Sequence, residues 1–271
     1  MPELPEVETF RRRLAEGAPG SAPLTGRRIL RSRLLWPRTL AAPEPRRFHS
    51  GVRGRTVAAV ERRGKFLVFR LDQGALLIHL RMSGSVVLEP PGTPLSPYTR
   101  LWLALDDGRR LSFRNPRKFG RVWLVGDPRE VTGALGPEPL DPSLTAETFA
   151  ARLQAKRRLI KPLLLDQTFV AGLGNIYADE ALHRAGIHPL SRSDAIPPER
   201  ARLLWQSIRR VLREAIRYNG TSFDGAYGGG EFLSRLRVYQ QTGRPCRRCR
   251  TPIARTLVGQ RGTHFCPRCQ T

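Results

Sequence analysis

Long hydrophobic runs are missing from this sequence. No stretch approaches the ~18 consecutive apolar residues of a membrane-spanning helix, and the start of the chain has no hydrophobic segment of the kind found in signal peptides. These absences predict a soluble, cytoplasmic protein without a membrane partner. At 271 residues the chain is long enough for two domains with cores of their own.

Acidic residues and lysines are scarce. The chain has 23 acidic residues against 47 basic ones, which leaves a net charge of +24. A field of this sign attracts polyanions, and nucleic acid is the leading partner because neutralising its phosphates releases counterions. An anionic membrane surface is the competing partner. Only four basic residues are lysines: Lys65, Lys118, Lys156 and Lys161.

Cysteine is absent until the last 26 residues of the chain. The four cysteines there are Cys246, Cys249, Cys266 and Cys269, two C-x2-C pairs separated by sixteen residues. This spacing is typical of zinc sites, and four thiolates form a closed tetrahedral site around one structural Zn2+. Two disulfides are the alternative, which a cytoplasmic location disfavours.

The zinc site is expected to hold a β-hairpin with strands near 253–257 and 263–265. Its connection, residues 259–262, places Arg261 at the tip, where a guanidinium can contact a phosphate or the minor groove. His264 is expected to pack or to lie at the surface rather than to bind the metal. The segment around Cys246 and Cys249, P-C-x-x-C, also resembles one half of the nucleobase-deaminase signature. The other half, H-x-E, is missing from the sequence.

Pro2 is the candidate nucleophile. Removal of Met1, which is usual before proline, exposes a secondary amine that titrates near ~7.7–8.0. Attack of this amine on a sugar C1′ gives a cationic iminium, an electron sink like the Schiff bases of lysine enzymes. Glu3 and Glu6 follow closely enough to act as general acids and bases. The alternative is ordinary helix-start chemistry, in which proline and glutamate are common.

The first half of the chain reads as one helix followed by strands. The helical pattern covers residues 6–15. Between residues 26 and 126, runs rich in Val, Leu, Phe and Trp are separated by Gly and Asp turns, which predicts a sandwich or a barrel. The predicted strands are 55–61, 65–71, 75–82, 101–106, 110–113 and 122–125. Residues 133–142, rich in Pro and Gly, are typical of an interdomain linker.

The second half has a helical pattern. Helices are predicted over 148–161, over 176–184 with Asn175 as N-cap and Gly186 at the end, and from 198 to about 218. The Gly-rich residues 220–230 are expected to be mobile. Residues 172–174, Gly-Leu-Gly, lack the third glycine of a dinucleotide fingerprint. They are interpreted as a tight turn whose amides, with the following helix start, bind a backbone phosphate.

Two segments carry side chains suited to entering a base stack. Arg117 and Phe119, in the segment NPRKFG, point the same way if the backbone there is extended, and could form a wedge between bases. A turn with one packed phenylalanine is the alternative. Met82, in the segment HLRMSG, is either a core residue or, in an exposed loop, a further probe.

Together these residues resemble the formamidopyrimidine-DNA glycosylase family of bacterial enzymes, and the similarity runs nearly end to end. The matching segments occur in family order: PELPEVET, HLRMSG, NPRKFG, LGPEPL, DQTFVAGLGNIYADEAL and the four-cysteine finger. Leu4 favours the branch that acts on formamidopyrimidines and 8-oxoguanine, because the related endonuclease VIII branch usually begins PEGPE.

The resemblance implies an α+β fold of two domains, an N-terminal β-sandwich with flanking helices and a C-terminal helix-two-turn-helix domain that ends in a zinc-finger hairpin. We expect five segments along the chain. They are a catalytic domain at 1–132, a linker at 133–145, a DNA-binding helical domain at 146–225, a mobile lesion-recognition loop and connector at 226–240, and the zinc finger at 241–271.

The resemblance also implies the activity, a bifunctional glycosylase and abasic-site lyase of base-excision repair that acts as a monomer on double-stranded DNA at the bacterial nucleoid. Pro2 would attack C1′ and expel the oxidised purine, and β and δ eliminations would leave a one-nucleotide gap. Glu3 would assist ring opening and proton transfer, and Glu6 would support the amine. Lys65 would lie near the lesion and its phosphates.

Further roles follow from the same resemblance. The void left by the flipped-out base would be filled by Met82, Arg117 and Phe119, with Arg117 facing the orphaned cytosine. The phosphates around the lesion would be held by His79, Lys161, Gly174, Asn175 and Arg261.

Two departures from the family pattern bear on specificity. Asn115 stands where Asp is common, which should soften a charge pairing with Arg117 or its neighbours. Residues 220–239 form a shorter segment than usual, so the order of preference among 8-oxoguanine, formamidopyrimidines and oxidised pyrimidines stays open. The alternatives are an endonuclease VIII-like preference for oxidised pyrimidines and a non-catalytic, zinc-bearing nucleic-acid-binding protein.

Overall fold

The computed structural model describes residues 1–17, 19–221 and 230–271. The chain divides into two compact units, which we call the N-terminal unit (Met1–Ala134) and the C-terminal unit (the described residues from Leu135 onward). Most of the predicted mobile segment 220–230, and the start of the predicted lesion-recognition loop at 226–229, lie outside the described residues.

The N-terminal unit contains three helices and nine strands among its described residues. The helices are α1 (Leu4–Glu16), α2 (Pro45–Val52) and α3 (Arg129–Thr132). The strands are β1 (Ile29–Leu34), β2 (Leu40–Ala42), β3 (Val57–Arg63), β4 (Phe66–Leu71), β5 (Ala75–His79), β6 (Ser85–Glu89), β7 (Thr99–Leu105), β8 (Arg110–Arg114) and β9 (Arg121–Val125).

These strands form two sheets that enclose one core. One sheet has the order β1-β7-β8-β6, and the other has the order β2-β9-β5-β4-β3, in which only β2 and β9 run parallel. Apolar side chains of both sheets meet in a single cluster, to which α1 adds Val7, Phe10 and Leu14. The predicted sandwich with flanking helices is confirmed.

The predicted strand over 75–82 was too long. It ends at His79 because Arg81 adopts a left-handed backbone, with φ 55°, and the N–H of Gly84 returns to the carbonyl of Leu80 at 3.0 Å. The resulting turn leaves the Met82 side chain 45% exposed. Met82 is therefore not a core residue.

Several elements of this unit were not predicted. β1 was not predicted because the middle of its sequence, Ile-Leu-Arg-Ser-Arg-Leu, is polar. Helix α2 was not predicted either. It begins after Glu44, whose side chain caps the helix by accepting hydrogen bonds from the backbone N–H groups of Arg46 and Arg47. The strands β2 and β6 were missed as well.

The C-terminal unit contains four helices and one hairpin among its described residues. These elements are α4 (Ala146–Gln154), α5 (Ile160–Leu165), α6 (Asn175–Ala185), α7 (Pro198–Arg217), β10 (Ala254–Val258) and β11 (Arg261–Phe265). The predicted single helix over 148–161 is wrong, because α4 ends at Gln154 and Leu159 makes an isolated β-bridge with Arg192 before α5 begins. Helix α7 lies where it was predicted and buries its apolar stripe. None of the helices in the described segments is long and apolar enough to cross a membrane.

Candidate active site and nucleic-acid interface

The start of α1 places two buried carboxylates beside Pro2. Pro2 is itself buried, and Glu3 and Glu6 are only 2% and 3% exposed. The two glutamates form a capping box at the helix start, in which Glu6 Oε2 accepts a hydrogen bond from the backbone N–H of Glu3 at 2.8 Å. Helix-start chemistry is thus present, and it fixes the backbone that follows Pro2. An amine exposed there would have a defined orientation.

Lys65 lies in the two-residue turn between β3 and β4. The turn starts at Gly64 with φ 56°, and the Lys65 side chain is buried. Arg62 donates to the carbonyl of Gly64 at 3.0 Å and to Glu8 Oε2 of α1 at 3.2 Å. Because both members of this ion pair are mostly shielded from solvent, it holds the Lys65 turn against α1.

His79 offers a neutral donor rather than a positive charge. Burial, followed by the charges of Arg81 and Lys65, lowers the pKa of His79 to about 3, so the imidazole is neutral near pH 7. Its Nδ1 accepts a hydrogen bond from the backbone N–H of Arg81 at 3.1 Å, which places the single ring proton on Nε2. The ring also packs edge-on against Phe66.

Met82, Arg117 and Phe119 protrude from two adjoining turns. Arg117 Nη1 lies 3.8 Å from Met82 Sδ, and Phe119 is 57% exposed. The segment 115–120 is a turn rather than an extended strand, because Lys118 adopts a left-handed backbone with φ 61°. The Phe119 ring is not packed, so the alternative of a turn with a buried phenylalanine is excluded.

Asn115 joins the bases of these two turns. Its side chain is fully buried, and it donates to the carbonyl of Leu80 at 3.2 Å and accepts from the N–H of Gly120 at 3.2 Å. Asn115 is thus a neutral bridge between backbone groups, and its effect on a charge pairing with Arg117 or its neighbours stays a prediction.

In the C-terminal unit, the turn before α6 is organised by Gln167, which the sequence analysis missed. Gln167 Oε1 accepts from the N–H of Gly172 at 2.9 Å, and Gln167 Nε2 donates to the carbonyl of Leu173 at 2.8 Å. Gly172 takes a left-handed φ of 87°, which favours glycine. The amide of Gly172 is thus engaged within the turn, so the interpretation of both glycine amides as phosphate donors narrows to Gly174.

Asn175 is the first residue of α6 rather than its N-cap, which is Gly174. Asn175 Nδ2 donates to the carbonyl of Gly262 in the hairpin at 2.9 Å. A side-chain amide has two N–H groups, so this bond fixes the amide and leaves a second N–H for another acceptor. The helix does end at Gly186, whose φ of 70° is left-handed.

Lys161, which is expected to contact a phosphate, is fully buried. Its Nζ lies 2.6 Å from Asp179 Oδ1 and donates to Thr263 Oγ1 at 2.7 Å and to the carbonyl of Gly262 at 3.2 Å. Asp179 Oδ2 in turn accepts from the backbone N–H of His264 at 2.9 Å. In this arrangement Lys161 positions the hairpin beside α6, and its ammonium group is buried against these acceptors.

The four cysteine sulfurs lie within 4.8 Å of one another. The Sγ atoms of Cys246 and Cys269 are 3.9 Å apart and those of Cys249 and Cys266 are 3.4 Å apart. A tetrahedral Zn2+ with Zn–S bonds near 2.3 Å separates its sulfurs by about 3.8 Å, whereas a disulfide needs about 2.05 Å. The geometry therefore fits zinc. His264 is not part of the cluster and packs against Asp179, in agreement with the sequence analysis.

Arg261 is the first residue of β11 and not the tip of the connection. It pairs with Val258 across the hairpin, so the turn is Gly259-Gln260 alone, and both of its residues have positive φ, as a two-residue hairpin turn requires. The Arg261 side chain is exposed. Arg261 therefore lies one position after the two turn residues rather than at the tip, and its side chain is accessible to a phosphate.

Glu180 and His183 are further buried polar residues of α6 that the sequence analysis missed. The Glu180 carboxylate accepts hydrogen bonds from the backbone N–H groups of residues 237–239, while burial raises its pKa. Burial, followed by the charges of Arg248 and two other arginines, lowers the pKa of His183 to about 4. The sequence does not reveal what these side chains do, because the amides bonded to Glu180 and the Cys246 sulfur beside His183 are more than fifty positions away.

Three family models match the chain. They are the "Formamidopyrimidine-DNA glycosylase N-terminal domain" at residues 1–122, the "Formamidopyrimidine-DNA glycosylase H2TH domain" at 135–225 and the "Zinc finger found in FPG and IleRS" at 243–271. These matches, with the buried glutamates behind Pro2 and the four-sulfur cluster, define the chain as a DNA glycosylase with a structural zinc finger.

Relatives of known name extend over the full length. The formamidopyrimidine-DNA glycosylase of Protochlamydia amoebophila is 42% identical over 100% of this chain and 99% of its own length, and that of Chloroflexus aggregans is 45% identical over 100% and 98%. The chain belongs to the formamidopyrimidine-DNA glycosylase family. The predicted family, fold class, enzyme class and structural zinc are confirmed.

Solved structures of proteins with the same fold are complexes with DNA. The Lactococcus lactis Fpg (MutM) bound to a FAPY-dG-containing DNA has a TM-score of 0.91 at 35% identity, covering 99% of this chain and 100% of that chain. A MutM complex with DNA containing carbocyclic 8-oxo-G has a TM-score of 0.90 at 35% identity, with both chains fully covered.

Proposed function

We propose that this protein is a bifunctional DNA glycosylase and abasic-site lyase of base-excision repair, which removes oxidised purines (8-oxoguanine and formamidopyrimidines) from duplex DNA. One observation carries the proposal: the chain aligns along its whole length with enzymes whose solved complexes contain FAPY-dG, 8-oxo-G or abasic DNA. The buried Glu3–Glu6 capping box directly behind Pro2 supports it. Because its substrate is DNA, we place it in the cytoplasm at the nucleoid, acting as a monomer.

Pro2 is the nucleophile of the proposed mechanism. After removal of Met1, its nitrogen lone pair attacks C1′ of the damaged nucleotide, the bond from C1′ to the base nitrogen breaks, and the base leaves with a proton. Opening of the sugar ring transfers a proton to O4′, which we assign to Glu3, and yields an iminium between C1′ and the Pro2 nitrogen. Glu6 holds the Glu3 backbone by its 2.8 Å hydrogen bond and so orients the amine.

The iminium withdraws electrons from the sugar and acidifies its protons. Loss of a C2′ proton expels the 3′ phosphate, and loss of a C4′ proton from the conjugated product expels the 5′ phosphate. Water then hydrolyses the iminium and frees Pro2. Lys65, buried in a turn held against α1, is assigned to the phosphates nearest this chemistry.

Both units are proposed to grip DNA. In the N-terminal unit, His79 donates its Nε2–H to a phosphate, and Met82, Arg117 and Phe119 fill the void of the flipped nucleotide, a task suited to exposed side chains on two bridged turns. Arg117 then faces the orphaned base, where cytosine O2 and N3 accept its hydrogen bonds.

In the C-terminal unit, the proposed phosphate donors are the Gly174 amide, the second N–H of Asn175 and the guanidinium of Arg261. Lys161 acts on them indirectly, through its bonds to the hairpin. The zinc ligands are Cys246, Cys249, Cys266 and Cys269. Bound zinc would stabilise the finger, whose apolar cluster is too small to do so alone. The segment 226–240 is proposed to be the lesion-recognition loop and connector. The other proposed segments are the catalytic domain at 1–132, the linker at 133–145, the DNA-binding helical domain at 146–225 and the zinc finger at 241–271.

The decisive experiment is reductive trapping with borohydride on abasic and 8-oxoguanine duplexes. The mature protein, with its first residue established by mass determination, should give a covalent adduct. A form extended by a short N-terminal peptide should give none, and cleavage that restores Pro2 as first residue should restore the adduct. Adduct formation by the extended form, or none by the mature protein, would contradict the proposal. Duplexes with oxidised pyrimidines in the same assay establish the order of preference.

A further inference from the structure

His183 lies deep in the C-terminal unit with one ring nitrogen against the metal cluster. The side chain, near the end of α6, is 0% exposed. Its Nε2 is 3.5 Å from the Sγ of Cys246, which is also fully buried. Its Nδ1 has no hydrogen-bond partner among the described residues.

This environment selects one tautomer. A neutral imidazole has a single N–H. On Nδ1 the proton would be a buried donor without an acceptor, the more costly way to leave a polar atom unsatisfied. On Nε2 it faces a sulfur that must be a thiolate to bind zinc. The geometry therefore directs the N–H of His183 Nε2 at the Cys246 sulfur.

We propose that His183 is a hydrogen-bond donor to the zinc-bound Cys246 thiolate and that this bond couples the metal to α6. Partners of this kind orient the ligands of metal sites and tune the metal. The rings of the other two histidines in the C-terminal unit have different partners: His264 Nδ1 lies 3.4 Å from Asp179 Oδ2, and the His188 ring packs against Phe265.

The backbone around His183 is tied to the same finger. Arg248, which lies between Cys246 and Cys249, donates to the carbonyl of His183 at 3.3 Å and to the carbonyl of Arg184 at 2.8 Å. These carbonyls belong to the C-terminal end of α6, where a cation is favoured by the helix dipole. The segment 246–249 therefore contacts this end of the helix at the His183 side chain and at the carbonyls of His183 and Arg184.

The other end of α6 meets the hairpin of the finger. Asn175 Nδ2 bonds to Gly262, and Asp179 bonds to the N–H of His264. Helix α6 has 11 residues and spans about 16 Å, so the finger holds it along its whole length. Zinc should thus position Asn175 from the far end of the helix. This last step rests on the proposed phosphate contact of Asn175.

The test uses three full-length holo-proteins: His183→Leu, His183→Gln, whose amide keeps a donor near the Nε2 position, and the control His188→Leu. Zinc release to a chelating dye should be faster by about 10-fold or more in His183→Leu, the scale expected for loss of such a partner. It should be intermediate in His183→Gln and unchanged in His188→Leu.

Cobalt substitution separates the hydrogen bond from packing. The sulfur-to-cobalt absorption band should move to lower energy in His183→Leu, because the thiolate loses its donor, and should stay near the wild-type position in His183→Gln. The proposal is overturned if both His183 variants keep the wild-type cobalt bands and release zinc at the wild-type rate. If His183→Leu does not fold, a cobalt band of His183→Gln at the wild-type position supports the hydrogen bond and a shifted band refutes it.

Binding to an abasic-analogue duplex provides the third measurement. His183→Leu should bind more weakly than His188→Leu, with the deficit removed by added zinc. Failure of the wild-type protein to form the borohydride adduct would count against the proposed function while leaving the zinc and cobalt results, and hence the His183 assignment, intact.

Discussion

Replacing Lys161 by Met tests whether this lysine is a structural tie or a phosphate contact. Both members of its ion pair with Asp179 are 0% exposed and 2.6 Å apart, and removing one partner of such a pair costs ~3–5 kcal/mol because the other charge is left buried. The loss should appear in the C-terminal unit, as a lowered free energy of opening of α6 in native-state hydrogen exchange. Lys156→Met, at an exposed lysine, is the matched control and should change nothing.

A second variant checks the physical cause of that loss. In Lys161→Met/Asp179→Asn no charge remains, and the amide oxygen can still accept from the N–H of His264. This protein should lose less than half as much opening free energy as Lys161→Met alone. A direct phosphate contact predicts a different pattern, in which α6 keeps its stability and the salt dependence of DNA binding falls by ~1 in slope. That pattern would refute the structural assignment of Lys161.

Four further outcomes are expected. Arg117→Ala should relax discrimination of the base opposite the lesion, and unchanged selectivity in a panel of opposite bases would remove its assigned role. Asn115→Leu leaves the buried N–H of Gly120 without its acceptor, at a cost of about 1–3 kcal/mol, and removes one of the two donors to the Leu80 carbonyl, so urea unfolding should show a less stable N-terminal unit. The His79 pKa of about 3 lies below that of an unfolded histidine, so stability is lost as pH falls from about 6.5 towards 3, and His79→Asn should flatten part of that decline in an unfolding titration. Zinc chelation or Cys249→Ser should abolish lesion-DNA binding, and normal binding by either protein would contradict a structural metal.

The features that could be predicted from the sequence are those set by local rules. The spacing of Cys246 and its partners predicts a zinc site because ligand geometry constrains short loops. The 3.6-residue period of α7 predicts both its position and its buried face. The Gly186 end of α6 follows from the preference of glycine for a left-handed backbone.

The features that could not be predicted depend on distant partners or on unusual backbone angles. Lys161 was expected to contact DNA because of the family resemblance, but its counter-charge on Asp179 and its acceptors in the hairpin become visible only in three dimensions. The left-handed angles of Arg81 and Lys118 shorten a strand and bend a turn at residues whose type gives no warning. Asn175 resembles an N-cap in sequence, yet its amide bonds to a hairpin far along the chain.

The burial of Lys65 and Lys161 has a consequence for work on abasic DNA, which presents an open-chain aldehyde to any nearby amine. A guanidinium does not lose its proton in proteins and so forms no Schiff base, whereas a surface rich in accessible ammonium groups would be vulnerable to cross-linking. With its 43 arginines, and only Lys118 and Lys156 exposed among the lysines, the protein can hold a polyanion tightly while offering that aldehyde very few amines other than Lys65 and the one at its N-terminus.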